Sequence, residues 1–208
     1  LIMNSAVIID QAMAAWLEAG SVSILSYSDK ICGIVLALTA TAASEAVFPY
    51  FAETVARRDW RAVKSHLLQV TGAILLIAVP LALVLIFFAP QIVRILFERG
   101  SFTATDTAKV AAVIRFAAMQ IPFYIAGVLA SKVAISMQAT RFTLVASFGA
   151  MVCNAGFNAI LMRYMGVAGI ALSTALVYLL SAVALYLYLY RRLKVLEGLP
   201  QDKEVKHG

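Results

Sequence analysis

Six stretches of nearly uninterrupted apolar residues, each close to the roughly twenty that a bilayer core demands, constrain this chain more than any other feature. They run from Leu1 to Leu17, about Ser23 to Phe51, Leu67 to Ala89, Val110 to Met137, Phe142 to Met162 and Val167 to Tyr190. Backbone N–H and C=O groups in hydrocarbon must be satisfied within the segment, so such stretches read as transmembrane helices. Composition agrees, because 62% of the residues are hydrophobic and only 13% charged, where a soluble domain carries about a quarter. The expected fold is all-α, a polytopic membrane bundle of six transmembrane helices over residues 1–192 with a cytoplasmic tail at 193–208. Pro49 is expected to end the second span. Pro80 is expected to kink the third, since neighbouring helices can re-satisfy a freed carbonyl.

The connections alternate in charge. One set holds Arg57, Arg58, Arg61 and Lys64, then Arg141, then Arg191, Arg192, Lys194, Lys203 and Lys206; the other holds only Arg94, Arg99, Lys109 and Arg163. The excess of Lys and Arg assigns the first set to the cytoplasm. A multi-pass protein of the cytoplasmic membrane follows, with its C-terminus inside. The net charge of +6 is then loop charge, and no nucleic-acid partner is expected. Tyr186, Tyr188 and Tyr190 suit an interfacial aromatic belt. Arg57 to His66 reads as a short amphipathic helix at headgroup level or as ordinary loop. Ile95 to Thr103 reads as a helix end at Gly100 followed by a new N-cap, Thr103 or Thr105 with Asp106, or again as ordinary loop. The chain starts at Leu1 inside an apolar stretch with no basic region ahead of it. It is read as a piece of a longer protein without a signal peptide.

Polar residues inside the spans carry the functional argument. A charge in hydrocarbon costs about 2.5–3.5 kcal/mol on insertion scales, so such residues face a protein interior or a wet cavity and mark a substrate or ion path. Asp29 and Lys30 lie in the second span, Lys30 nine residues from Ser21 and about 13 Å along the helix. Lys30 faces a cavity, or both residues sit at the interface with the lysine stem snorkelling outward. Asp10 lies near the middle of the first span. Asn154 and Asn158, four apart, share a face of the fifth. Thr174 follows the small residues Gly166, Ala168 and Gly169 in the sixth. Asp10, Asn154, Asn158 and Thr174 offer only oxygens as metal donors, which suits a hard cation, or they are interhelical hydrogen-bonding glue. Glu45 is a proton carrier or a solvated residue near the interface. Cys32 and Cys153 read as buried free thiols. There is no CxxC, HExxH, GxSxG or phosphate-loop motif, so no catalytic residue and no enzyme is expected.

Several segments resemble the second lobe of the MurJ/MviN-type lipid II flippases. These are Val7–Asp10 with Ala14, Gly20-Ser21-Val22-Ser23, Tyr27-Ser28-Asp29-Lys30, and above all Leu96-Phe97-Glu98-Arg99-Gly100-Ser101-Phe102-Thr103-Ala104-Thr105-Asp106-Thr107. Gln138 to Thr143 is similar to a weakened form of the loop before the family's eleventh helix, and Gly166 to Thr174 is similar to the opening of the twelfth. The resemblance implies one lobe of a two-lobe carrier of the multidrug/oligosaccharidyl-lipid/polysaccharide exporter superfamily. Such a carrier moves a lipid-linked sugar pyrophosphate outward by alternating access. It implies substrate binding by Lys30 with Asp29, and a partner in the missing N-terminal lobe. It also implies a sodium site at Asp10, Asn154, Asn158 and Thr174, with no other cofactor. Two departures stand out. Lys30 replaces an arginine, keeping the charge and losing the bidentate fork. Asn158 stands where an acidic residue is expected, which implies weak cation binding or none. Other readings are an exporter of another polysaccharide unit or drug, a non-transporting membrane scaffold, and an integral-membrane transferase, for which the loops are short and basic.

Overall fold

The computed structural model describes residues 2–198, and the side chains of residues 7–39, 41 and 49–198. Leu1, the Glu45 side chain and the residues from 199 on, with Lys203, Lys206 and His207, lie outside these. The chain forms α1 (Ile2–Ala14), α2 (Ser21–Ala56), α3 (Trp60–Phe97), α4 (Ala104–Ala117), α5 (Gln120–Ser136), α6 (Thr140–Met165) and α7 (Val167–Glu197). The all-α membrane bundle is as expected, but the count differs from six. Among the described residues, five stretches are long and apolar enough to cross a membrane: Ser21–Thr39, Trp60–Phe97, Ala104–Ser136, Thr140–Met165 and Val167–Glu197. At 13 residues, α1 is only about 20 Å long. The fourth expected span is two helices broken at Ala118–Met119. Pro122 accounts for the break, since its ring clashes with the carbonyl four residues back, at Ala118.

Pro49 does not end the second helix, contrary to expectation. It lies inside α2, and the turns beyond it are held by other contacts. Phe51 is fully buried with Val63 and Leu67 of α3, Thr54 Oγ1 donates to the Tyr50 carbonyl at 2.8 Å, and Arg57 pairs with Glu53 at 2.6 Å. The expected short amphipathic helix at 57–66 is not separate either. After Arg58, whose φ is 57°, the Asp59 carboxylate accepts from the Ala62 amide at 3.0 Å and starts α3 directly. Pro80 and Pro90 both lie within that helix. At the other end, α7 continues past 192 to Glu197.

Successive helices run between two ends of the bundle. One end gathers the α2–α3 turn, the α5–α6 turn and the close of α7, with most of the basic residues. The other holds the α1–α2, α3–α4 and α6–α7 connections. Helix α7 is central, packing on α6, α5 and α4; α2 packs on α5 and α4, and α1 chiefly on α6. Two apolar cores result. Leu25, Val93, Val110, Ile114, Ile121 and Ile170 belong to the one toward the α3–α4 loop, and Phe51, Val63, Val133, Met137, Leu189 and Leu193 to the one at the basic end.

The α3–α4 loop resolves the two capping options in favour of Thr103. Gly100 takes φ 63°, and Thr103 caps α4 in a reciprocal box with Asp106. Phe97, the last residue of α3, and Phe102 of this loop close on Tyr27 of α2 at ring-centroid distances of 4.8 and 5.4 Å. The most distinctive loop motif and the Tyr27–Lys30 motif are therefore in contact. At the α6–α7 turn Gly166 has φ 57°, and Gly169 lies so close to α6 that a Cβ there would meet the Leu161 carbonyl oxygen at 2.3 Å. At the opposite end Gln138 has φ 57° in the α5–α6 turn. Arg192 of α7 donates from Nη2 to the Met137 carbonyl at 3.0 Å and from Nη1 to the Tyr188 hydroxyl at 2.7 Å. Phe142 stacks on Tyr188 at 3.8 Å. Of the three tyrosines expected at the interface only Tyr190 is exposed, because Tyr186 turns inward to share a 2.6 Å hydrogen bond with Thr71.

Candidate functional site

The oxygen-bearing residues of three helices meet in the bundle interior. Asp10 of α1 is 7% exposed, Asn154 and Asn158 of α6 are 1% and 0% exposed, and Thr174 of α7 faces them. The Asn158 amide donates to Asp10 Oδ1 at 2.6 Å and to Asn154 Oδ1 at 3.3 Å. Thr174 Oγ1 donates to Asp10 Oδ2 at 3.0 Å. Ser173 adds a bond to the Asn154 carbonyl at 3.3 Å. Helical spacing explains the assembly: the two asparagines are four apart on one face, and the close approach at Gly169 brings the first turns of α7 against them. One acceptor is left over. Asn158 Oδ1 is buried without a hydrogen-bond partner, and an unpaired buried acceptor loses its hydration with nothing in return.

Asp29 and Lys30 do not act from one face. Asp29 is half-buried, on the face of α2 that also carries buried Cys32 three residues on. Lys30 is exposed on the surface of this lobe, its ammonium 5.4 Å from the centroid of the Tyr27 ring. Helix α2 begins at Ser21, so Lys30 keeps the depth of about 13 Å that the helical rise gives. Of the two cysteines, Cys32 is buried as expected, whereas Cys153 is exposed.

Sequence reasoning passes over Lys132, although the argument that singles out Lys30 applies equally to a lysine in the fourth span. The structure places it in a cavity of about 270 Å³ between α5, α6 and α7. Helix α6 packs chiefly on α7 and α1 and only lightly on α5, and that wedge is the cavity. Asn154 and Thr174 line it at the polar cluster, Tyr124 and Tyr178 stand edge to face at 5.1 Å along it, and Lys132 and Thr143 lie toward the basic end.

The family described as lipid II flippase MurJ matches residues 2–205. Among similar proteins, a probable lipid II flippase MurJ of Rhizobium tropici is 25% identical over 185 residues, covering 89% of this chain and 34% of the relative. One of Haemophilus influenzae is 30% identical over 186 residues, covering 86% of this chain and 36% of the relative. The chain thus spans about a third of the length of these relatives. Among solved structures, lipid II flippase MurJ in an inward closed conformation superposes with a TM-score of 0.83 at 20% identity, over 94% of this chain and 42% of that one. An inward-facing multidrug resistance MATE transporter of the MOP superfamily gives 0.85 at 16% identity, over 96% and 46%. At these identities the structural likeness establishes the fold, that of one lobe of such a transporter. Matched by its model from the second residue to the last turns and beyond, the chain belongs to the MurJ lipid II flippase family.

Proposed function

We propose that this chain is the second lobe of a flippase that carries lipid II, or a closely related lipid-linked sugar pyrophosphate, across the cytoplasmic membrane by alternating access. The observation that carries this reading is the family match, joined to a lysine held at membrane depth on an exposed face of the lobe. Lys30 would meet a phosphate in a cavity shared with the N-terminal lobe that the family resemblance implies, with Asp29 beside it shaping the local field. A positive charge there attracts a pyrophosphate strongly in a low-dielectric site, though without the paired donors of an arginine. The protein would transport rather than catalyse, with its C-terminus cytoplasmic and no nucleic-acid partner. Complementation of flippase-deficient cells by the full-length protein tests this. Lys30→Ala should abolish rescue at normal expression and Lys30→Arg should retain it; full rescue by Lys30→Ala would remove the lysine from the mechanism.

Asp10, Asn154, Asn158 and Thr174 would hold sodium as the coupling ion. Their donors are all hard oxygens, and the unpartnered Asn158 Oδ1 is an acceptor that a cation would satisfy. A bound ion would neutralise the buried carboxylate and tie α1 to α6 and α7. Sodium should therefore raise the unfolding midpoint, by about 2.7 kcal/mol of stability at a hundredfold excess over its Kd. Asp10→Asn should abolish that shift. Equal stability in sodium and choline would refute the site.

A further inference from the structure

Tyr27 and the Leu96–Thr107 motif have no part in transport as proposed above, yet they converge on the one side chain it depends on. Helix α2 carries Tyr27 and Lys30 three residues apart, hence on one face. Helical side chains lean toward the N-terminus, so the lysine stem leads back to the tyrosine. Its ammonium lies 5.4 Å from the centroid of the Tyr27 ring, within the roughly 6 Å over which a ring face attracts a cation. Among the described residues no carboxylate pairs with Lys30; the ion pairs are Arg57 with Glu53, Lys64 with Glu197 and Arg94 with Glu98. The ring itself is fixed from α3 and the loop beyond it. Phe97 leans on it at 56° and Phe102 meets it edge-on at 85°. Both phenylalanines are held in turn. Thr107 of α4 donates to Glu98, the residue after Phe97, at 2.7 Å, and the Thr103 cap follows directly on Phe102.

An exposed lysine has a long, rotatable stem, and at membrane depth it extends toward the nearest water. Ordering such a side chain opposes binding. A carboxylate partner would hold the ammonium firmly, but it would also compete with an incoming phosphate. An aromatic face restrains the ammonium with little competition, because it covers one side and leaves donors among the three free for oxygen. We propose that Tyr27 is the positioning residue for Lys30, an inference that rests on Lys30 receiving a lipid-linked pyrophosphate. The ring, braced by Phe97 and Phe102, keeps the ammonium at the depth where the pyrophosphate arrives. The Leu96–Thr107 loop is then the buttress of the anion site, joining the end of α3 and the start of α4 to Lys30 through one ring.

Native mass spectrometry of the full-length protein in neutral detergent, titrated with lipid II, tests the assignment through a double-mutant cycle. Tyr27→Leu keeps an apolar side chain against Phe97 and Phe102 and removes the ring. It should bind lipid II about two- to tenfold more weakly than the wild type, the range set by the entropy of ordering one long side chain. Tyr27→Phe, which keeps the ring face, should bind as the wild type does. In a Lys30→Ala background Tyr27→Leu should cause no further loss, because the ring acts only through the lysine. Equal losses from Tyr27→Leu in both backgrounds would show a merely structural ring and overturn the proposal. So would wild-type binding by Tyr27→Leu, or a loss in Tyr27→Phe. Wild-type binding by Lys30→Ala is a different failure: it would overturn the role of Lys30 itself, and the inference with it. Where Tyr27→Leu fails to fold, nuclear magnetic resonance of the wild type with isotopically methylated lysines decides. The Lys30 signal, identified by its absence from Lys30→Arg, should be moved upfield by the ring current of Tyr27; a signal at the position of a freely rotating lysine would overturn the proposal.

Discussion

Gly169→Ala is the substitution whose effect the geometry determines most directly. A methyl group built on Gly169 lies 2.3 Å from the Leu161 carbonyl oxygen and 2.5 Å from its carbon. Real Cβ atoms essentially never come within 3.0 Å, so α7 and α6 must separate by at least 0.7 Å (3.0 − 2.3). The obstacle is backbone and cannot rotate aside. Overpacking of this kind costs about 1–3 kcal/mol, and the better helix propensity of alanine returns at most about 1 kcal/mol. The separation also reaches the polar cluster, because Asn158 lies one turn before Leu161 and Thr174 five residues after Gly169. The Ser173 to Asn154 hydrogen bond, already 3.3 Å, would lengthen to about 4 Å, past the range of a hydrogen bond. Denaturant unfolding in detergent, followed by circular dichroism, should show a net loss of about 1–2 kcal/mol. It should also show a reduced response to sodium. Gly72→Ala in α3, where a Cβ meets nothing within 4 Å, should be neutral or slightly stabilising. If the two variants are equally stable, the argument from close approach fails.

Three further outcomes follow from contacts described above. Thr103→Ala removes the cap of α4 and should cost about 1 kcal/mol, with faster amide exchange at residues 104–107; unchanged exchange would show that the box contributes nothing. Asn158→Asp replaces the donor to Asp10 with a second carboxylate, so stability should fall in choline and recover in sodium. An identical sodium response to that of the wild type would refute this. Tyr27→Ala empties the space between Phe97 and Phe102 and, the ring being half-buried, should cost about 2 kcal/mol, less than a fully buried aromatic. Proteolysis near Arg99 should quicken, and an unchanged cleavage rate would show that the ring does not anchor the loop.

Much of the architecture was legible because hydrocarbon leaves few choices. The uncharged runs at 142–162 and 167–190 are helices, and Thr103 with Asp106 is a cap. Proline was the weaker guide. Pro49 is tolerated because buried Phe51 and the Glu53–Arg57 pair hold the turns after it, whereas Pro122 breaks its span because the displaced carbonyl falls at the Ala118–Met119 junction. Sequence alone could not distinguish these, since the difference lies in tertiary contacts. Spacing put Asn154 and Asn158 on one face, but only packing at Gly169 brings Thr174 to Asp10 across three helices. The partition of Asp29 inward and Lys30 outward depends on the rotation of α2 against α1 and α5, which its own residues do not specify. The burial argument that applies to Lys30 applies to Lys132 as well, but the wedge around Lys132 exists only once α6 packs away from α5, which the sequence does not specify.

Arg192 ties the last carbonyl of α5 to α7 while Tyr188 lies flat against the opening ring of α6. Three helices are thereby riveted at one end, and none can swing there without dragging the other two. If the lobe rocks as the proposed alternating access requires, it must bend somewhere the rivet does not reach. The discontinuity at Ala118–Met119 is the natural elbow, dividing a stiff trio from the portion of the bundle that bears Tyr27 and the capped loop.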